Sequence, residues 1–145
     1  MKEITGNLWS YHDKSIIVIT TNGYIKKNGE CVMGRGCAKE AKDRYPEIAK
    51  QLGNAIRISG NHVHYLRNGI ISFPVKYNFW EKADLELIDR SAQELVKLVN
   101  FCEFEQVVMG RPGCGNGGRS WINEVKPILE KYFDDRFLII DFIGS

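Results

Sequence analysis

One lysine, one asparagine and two clusters of glycine are the residues of this chain whose types and spacing could do chemistry. Lys76 directly follows the apolar run Ser72-Phe73-Pro74-Val75, and an amine at the end of a buried strand can attack an electrophilic carbon. Asn22 closes the stretch Thr20-Thr21-Asn22-Gly23. Its amide offers donors and acceptors suited to sugar hydroxyls, although Asn-Gly after a strand is also an ordinary turn. Gly113, Gly115 and Gly118 satisfy G-x-G-x-x-G, a pattern whose backbone N–H groups and following helix start can hold a pyrophosphate. Five glycines fall within the nine residues 110–118. Glycine costs conformational entropy unless its backbone shape is needed, so a plain surface loop is the weaker explanation. Gly34-Arg35-Gly36, ahead of Cys37-Ala38-Lys39-Glu40, is a second glycine-rich helix entry.

Other constellations carry less. A thiolate phosphatase places cysteine and arginine with five residues between them. Cys114 and Arg119 have four between them, and Cys114 reads as a buried, inert thiol. The G-x-x-x-x-G-K-[ST] loop of nucleoside triphosphatases is absent,. His12, His62 and His64, and the cysteines 31, 37, 102 and 114, lack metal-site spacings, so neither a metal nor a cofactor is expected. A dinucleotide-dependent oxidoreductase would begin with its glycine motif, whereas here only 27 residues follow Gly118,.

The elements that must position these groups are short. The apolar runs at 16–19, 70–73, 107–109 and 137–140 are continuous and rich in β-branched residues, as strands buried on both faces should be. Helical patterns are predicted over 38–52 and 85–99, and a third over 121–132, which Pro127 should kink or restart,. Asp84 is placed to cap the second. Residues 62–66, a turn at Arg67-Asn68-Gly69 and the run at 70–73 read as a hairpin,. Trp9, Trp80 and Trp121 are expected in the core or in a site wall,. Strands alternating with helices predict a three-layer α/β/α sandwich around a mixed, mainly parallel sheet. In such sheets ligands bind beyond the carboxyl ends of the strands. Three of those ends deliver Asn22, Lys76 and the loop 110–118, which predicts one shared site.

The 145 residues fit a single domain, 1–145,. Twenty basic against eighteen acidic residues leave a net charge of +2, without a basic arm, which does not announce a general nucleic-acid binder. No stretch approaches the roughly 20 apolar residues of a membrane span, and the opening MKEITGN lacks a signal-peptide profile,. A monomeric cytoplasmic protein with free thiols and no membrane contact is expected.

The stretches TGNL (5–8), TTNG (20–23), VMGRGCAKEAKDRYPE (32–47), SFPVK (72–76), DLELIDRSAQELV (84–96) and RPGCGNGGRSW (111–121) together resemble the macro domains that bind ADP-ribose. The resemblance is to the branch containing the antitoxin DarG macro domain and the terminal ADP-ribose protein glycohydrolase. It runs almost end to end and implies the macro domain fold. It assigns Thr21 and Asn22 to the distal ribose, and Met33, Gly34, Arg35, Gly36, Cys37 and Ala38 to a loop around that ribose and the diphosphate. Pro112, Gly113, Cys114, Gly115, Asn116, Gly117 and Gly118 become a second phosphate loop, and Lys76 the catalytic lysine with Asn22 beside it. Asn7 and Leu8 fall where the adenine is read, usually by an aspartate; asparagine stands here. The glycohydrolase carries an acid in the second loop, where this chain has Gly117. The resemblance thus implies a hydrolase that cleaves at C1″ of an ADP-ribosylated nucleic acid or protein. A non-catalytic ADP-ribose reader and an ADP-ribose 1″-phosphate phosphatase stay open as alternatives.

Overall fold

Along each central strand, successive apolar side chains enter opposite layers, and this alternation divides the core in two. In the computed structural model, which describes residues 1–142, one sheet is built from β1 (Lys2–Gly6), β2 (Ile16–Asn22), β3 (His64–Tyr65), β4 (Ile70–Lys76), β5 (Val107–Gly110) and β6 (Phe137–Phe142). Residues 143–145, the end of the expected domain, lie outside the described residues. The strand order is β1-β6-β5-β2-β4-β3; only the β3–β4 pairing is antiparallel. Ile17, Ile19, Ile70, Val108, Leu138 and Ile140 face one core. Val18, Ile71, Phe73, Val107, Met109 and Ile139 face the other. Helices α1 (Gly36–Arg44) and α2 (Ile48–Ser59) cover the first face, and α3 (Leu85–Cys102) and the short α4 (Lys126–Leu129) cover the second. This is the predicted three-layer arrangement.

The helix predicted over 38–52 is two helices. Pro46 disfavours helical backbone at the residue before it, and Tyr45 leaves the helix at φ −134°, ψ 82°. Pro127 restarts the third pattern as expected: a π-helical turn, Trp121–Val125, gives way to α4 with proline in its first turn. Asp84 caps α3 by accepting from the Leu87 N–H at 2.9 Å. Pro74 sits in β4 beyond the last residue paired with β3, where its missing N–H costs no ladder bond on that side. Its carbonyl accepts from the buried Ser91 hydroxyl of α3 at 2.7 Å, which fixes that helix on the strand.

Strand β1 is absent from the sequence reading because Ile4 is its only large apolar residue and its other side chains face solvent. It is held at the sheet edge by Glu3, whose carboxylate accepts from the Trp121 indole N–H at 2.9 Å and from Lys126 Nζ at 2.7 Å. Those bonds, Lys126's first, hold the Glu3 carboxyl below its ordinary range. A group lowered in this way stabilises the fold above its unfolded pKa and loses that contribution as pH falls through the folded value. Because Glu3 is about a third exposed, solvent weakens the effect. Glu3→Gln is expected to cost about 1 kcal/mol at pH 7. Urea unfolding at decreasing pH should show the wild-type advantage shrinking as pH falls below the ordinary glutamate range, about 4.3.

Candidate functional site

The winding of the sheet leaves a gap at the carboxyl ends of β2 and β5. From β2 the chain moves towards β4, and from β5 it moves towards β6; ligands bind at such a reversal. Here lies a cleft of about 630 Å³, walled by residues 20–22 and 32–38, by Val75, Lys76 and the turn 79–81, by the loop 110–117, and by Phe142. The three predicted strand ends thus open into one cleft.

Asn22 and Lys76 are register partners on neighbouring strands, brought level by an irregularity between Thr21 and Asn22. The Asn22 amide works first as a brace. Its Nδ2 donates to the Val32 carbonyl and its Oδ1 accepts from the Tyr24 N–H, each at 2.9 Å. An asparagine amide has two donors and two lone pairs, so one of each is left beyond the brace. Lys76 Nζ donates to the carbonyls of Phe79 at 3.5 Å and Asn116 at 3.4 Å. These long bonds hold the ammonium between the turn 79–81 and the glycine loop.

Two arcs of backbone complete the walls. Helix α1 begins at Gly36, whose φ of +59° suits glycine, and its N-cap, Arg35, makes no side-chain capping bond. The first N–H groups of the helix are left to whatever occupies the cleft. In the second arc, Gly113 takes φ +75° and Arg119 N–H donates back to its carbonyl at 2.9 Å. The loop passes so close to itself that a Cβ on Gly117 would stand 2.5 Å from the Gly113 oxygen and 2.7 Å from its Cα. Gly34 and Gly115 have nothing within 4 Å of such a position. Of the charged residues lining the cleft, Arg35, Lys76 and Arg111 are cationic and only Glu81 is acidic. Glu81 is turned to its own loop, accepting from the Asn78 N–H at 2.7 Å. The cleft therefore suits an anion.

Thr21, Met33, Gly34, Arg35, Gly36, Cys37, Ala38, Gly113, Gly115, Asn116 and Gly117 line the cleft with Asn22 and Lys76. The structure does not bring Asn7, Leu8, Pro112, Cys114 and Gly118 into that lining. The Asn7 side chain caps a 3-10 turn by accepting from Trp9 N–H, and Leu8 is wholly in the core. Burial pushes the thiol of Cys37 up and that of Cys114 to about 11, so both are neutral and inert, Cys37 in the cleft wall and Cys114 outside it,. Among the described residues, no group of three or more His, Cys, Asp and Glu is arranged to hold a metal ion. Phe79, Glu81 and Phe142 escaped the sequence reading, which followed glycines and amides; Arg111 lay within the expected loop 110–118 but was given no role of its own. The aromatic run Tyr77-Asn78-Phe79-Trp80 directly after Lys76 was the available signal.

No family model matches the chain. Two curated DNA ADP-ribosyl glycohydrolases, from Mycobacterium tuberculosis and Mycobacterium bovis BCG, are each 28% identical over 100 residues, 62% of this chain and 28% of the relative. The match thus spans little more than a quarter of those proteins. The macrodomain of Mycobacterium tuberculosis DarG superposes with a TM-score of 0.80 at 24% identity, covering 99% of this chain and 98% of that one. That of Thermus aquaticus DarG gives 0.78 at 20% identity, over 99% and 97%. Thermosipho africanus DarTG in complex with ADP-ribose gives 0.74 at 15%, over 95% of this chain and 40% of that one. The fold is the macrodomain fold. The similarity lies with macrodomains of DarG, as the motifs implied.

Within this fold the second glycine loop gives a sharp contrast. Gly117→Ala drives a methyl into main chain and should cost about 2 kcal/mol or more. Gly115→Ala, facing open space, should stay within about 0.5 kcal/mol of wild type. Thermal melts of the two variants check this.

Proposed function

We propose that this macrodomain binds the ADP-ribose group of a modified DNA and hydrolyses the bond at its C1″ carbon. The observation that carries the reading is the pairing of Asn22 with Lys76 at one end of a cationic cleft lined by unpaired backbone N–H groups. Between Phe142 on β6 and Lys76 on β4 lie three strand intervals, about 14 Å. That distance suits an adenosine at the β6 end, a diphosphate over the loops following β5 and β2, and a distal ribose against Asn22. Amide dipoles of the α1 start and of the loop 113–117 neutralise the diphosphate, with Arg35 adding charge; the Arg111 guanidinium is shared with Glu3 and Asp141 at 3.8 and 3.7 Å. Asn22 uses its remaining donor and acceptor on the ribose hydroxyls.

The Lys76 ammonium passes a proton to the leaving base nitrogen, and the freed amine bonds to C1″ as the bond to the base breaks, the electron pair of that bond going to the nitrogen. Water then adds at C1″, breaks the bond to lysine and leaves ADP-ribose with its anomeric hydroxyl. The printed name of the curated relatives, DNA ADP-ribosyl glycohydrolase, supports a nucleic-acid linkage over a protein one. So does Gly117: a carboxylate there, as the protein-directed glycohydrolase carries, would collide with Gly113 main chain. The absence of that acid equally suits a second reading, a module that binds ADP-ribose without turning it over. A cytoplasmic setting is consistent with four free cysteines,.

A panel of ADP-ribose linkages (thymidine and guanosine in oligonucleotides, glutamate, serine and 1″-phosphate) separates the readings. The wild type is expected to release ADP-ribose from an oligonucleotide. Lys76→Ala should do so at least about 100-fold more slowly, while binding ADP-ribose within about threefold of wild type by calorimetry. Binding without release from any linkage favours the reader, and an unchanged rate in the variant excludes the lysine mechanism.

A further inference from the structure

Next to the cleft stands a group of aromatic rings that the reading above does not use. Tyr24, Phe79 and Trp80 lie with ring centroids 5.0–5.6 Å apart, at steep mutual angles. All three are exposed, Trp80 to 65%. Three neighbouring aromatic rings left in water mark a contact surface more often than an accident of the fold. Phe79 and Trp80 also line the cleft, and the Phe79 carbonyl accepts from Lys76 Nζ. The rings therefore border the end of the cleft where the C1″ bond would be cut.

The ledge is held by main chain. Gly23 N–H donates to the Tyr77 carbonyl at 3.2 Å, and Glu81 N–H donates to the Asn78 carbonyl at 3.2 Å. Tyr24 is fixed through the Asn22 side chain and through Val32 N–H, which donates to its carbonyl at 3.0 Å. With these amides already paired, the ledge offers ring surface and few main-chain donors. A peptide that adds as a strand is held by main-chain hydrogen bonds, whereas a nucleobase needs only a π-face to stack on. Exposed lysines flank the ledge along the chain: Lys26 and Lys27 after Tyr24, and Lys82 after Trp80. Their charge suits a phosphodiester backbone.

We propose that Tyr24, Phe79 and Trp80 form a stacking subsite for the nucleobase joined to C1″, and that this subsite selects single-stranded nucleic acid. The inference rests on the ADP-ribosyl hydrolase reading of the same cleft. A base can reach the ledge only when it has left its own stack, so a duplex is disfavoured by the energy of unstacking.

The test uses the full chain carrying Lys76→Ala, which prevents turnover, with and without Trp80→Ala or Trp80→Phe. Calorimetry is run with free ADP-ribose, with a short single-stranded oligonucleotide bearing ADP-ribose on one thymine, and with an ADP-ribosylated glutamyl peptide. The modified oligonucleotide is expected to bind roughly 10-fold more tightly than ADP-ribose, and Trp80→Ala to weaken it roughly 5- to 100-fold. Trp80→Phe should recover part of the loss, and ADP-ribose and the peptide should shift less than about threefold. Tryptophan fluorescence gives a second readout, because Trp9 and Trp121 are buried and Trp80 alone can be quenched by a stacked base. An oligonucleotide bound no better than ADP-ribose, or equal losses for oligonucleotide and peptide, overturns the subsite and leaves the hydrolase reading standing. Failure of the wild type to bind ADP-ribose removes both.

Discussion

The reversal of winding between β2 and β5 is the constraint on which the rest of this molecule depends. Two parallel strands lie side by side, and the chain leaves them in opposite directions, so no crossover segment can cover their carboxyl ends. The segments that follow must turn away at once, and they do so through glycine. Most N–H groups of the segment after β2 are paired within the protein, and those of the α1 start, which no side chain caps, are left for the cleft,. The cleft, its preference for anions and the meeting of Asn22 with Lys76 all follow from that one topological step.

The sheet was legible in the sequence where strands are buried on both faces, because Ile, Val and Phe then run without interruption. It was not legible at β1, where Ile4 alone enters the core and pairing to β6 supplies the rest. The break between α1 and α2 was written in Pro46, yet the apolar pattern on either side of it continued in phase and hid the stop. The chemistry of the cleft was legible because strand ends can be found from the runs preceding them. That reasoning names only what directly follows a strand. Phe142 reaches the cleft because β6 extends two residues past its apolar run, a fact that does not exist before the strands are ordered. At Asn7 and Leu8 the motif is present while the side chains cap a turn and fill the core, away from the cleft lining.

Glycine serves two distinct purposes in the second loop. At Gly115 its small size is unused by the protein and leaves space beside the cleft. At Gly117 it lets the loop touch its own main chain, and no side chain of any chemistry could stand there without a different loop. The lack of an acid at this position is therefore a property of the backbone path as much as of the residue. A change of chemistry at this point would require several coordinated substitutions.

The brace formed by Asn22 has a consequence for motion. Its amide ties the end of β2 to Val32 and Tyr24, and the residue itself lines the cleft. An occupant that hydrogen-bonds to Asn22 adds bonds to the residue that already closes the loop of residues 22–32. By linkage, occupancy and local closure rise together. Amide hydrogens along that loop would then exchange more slowly in the filled protein, and the loop's opening rate would set an upper limit on how fast a product held there can leave.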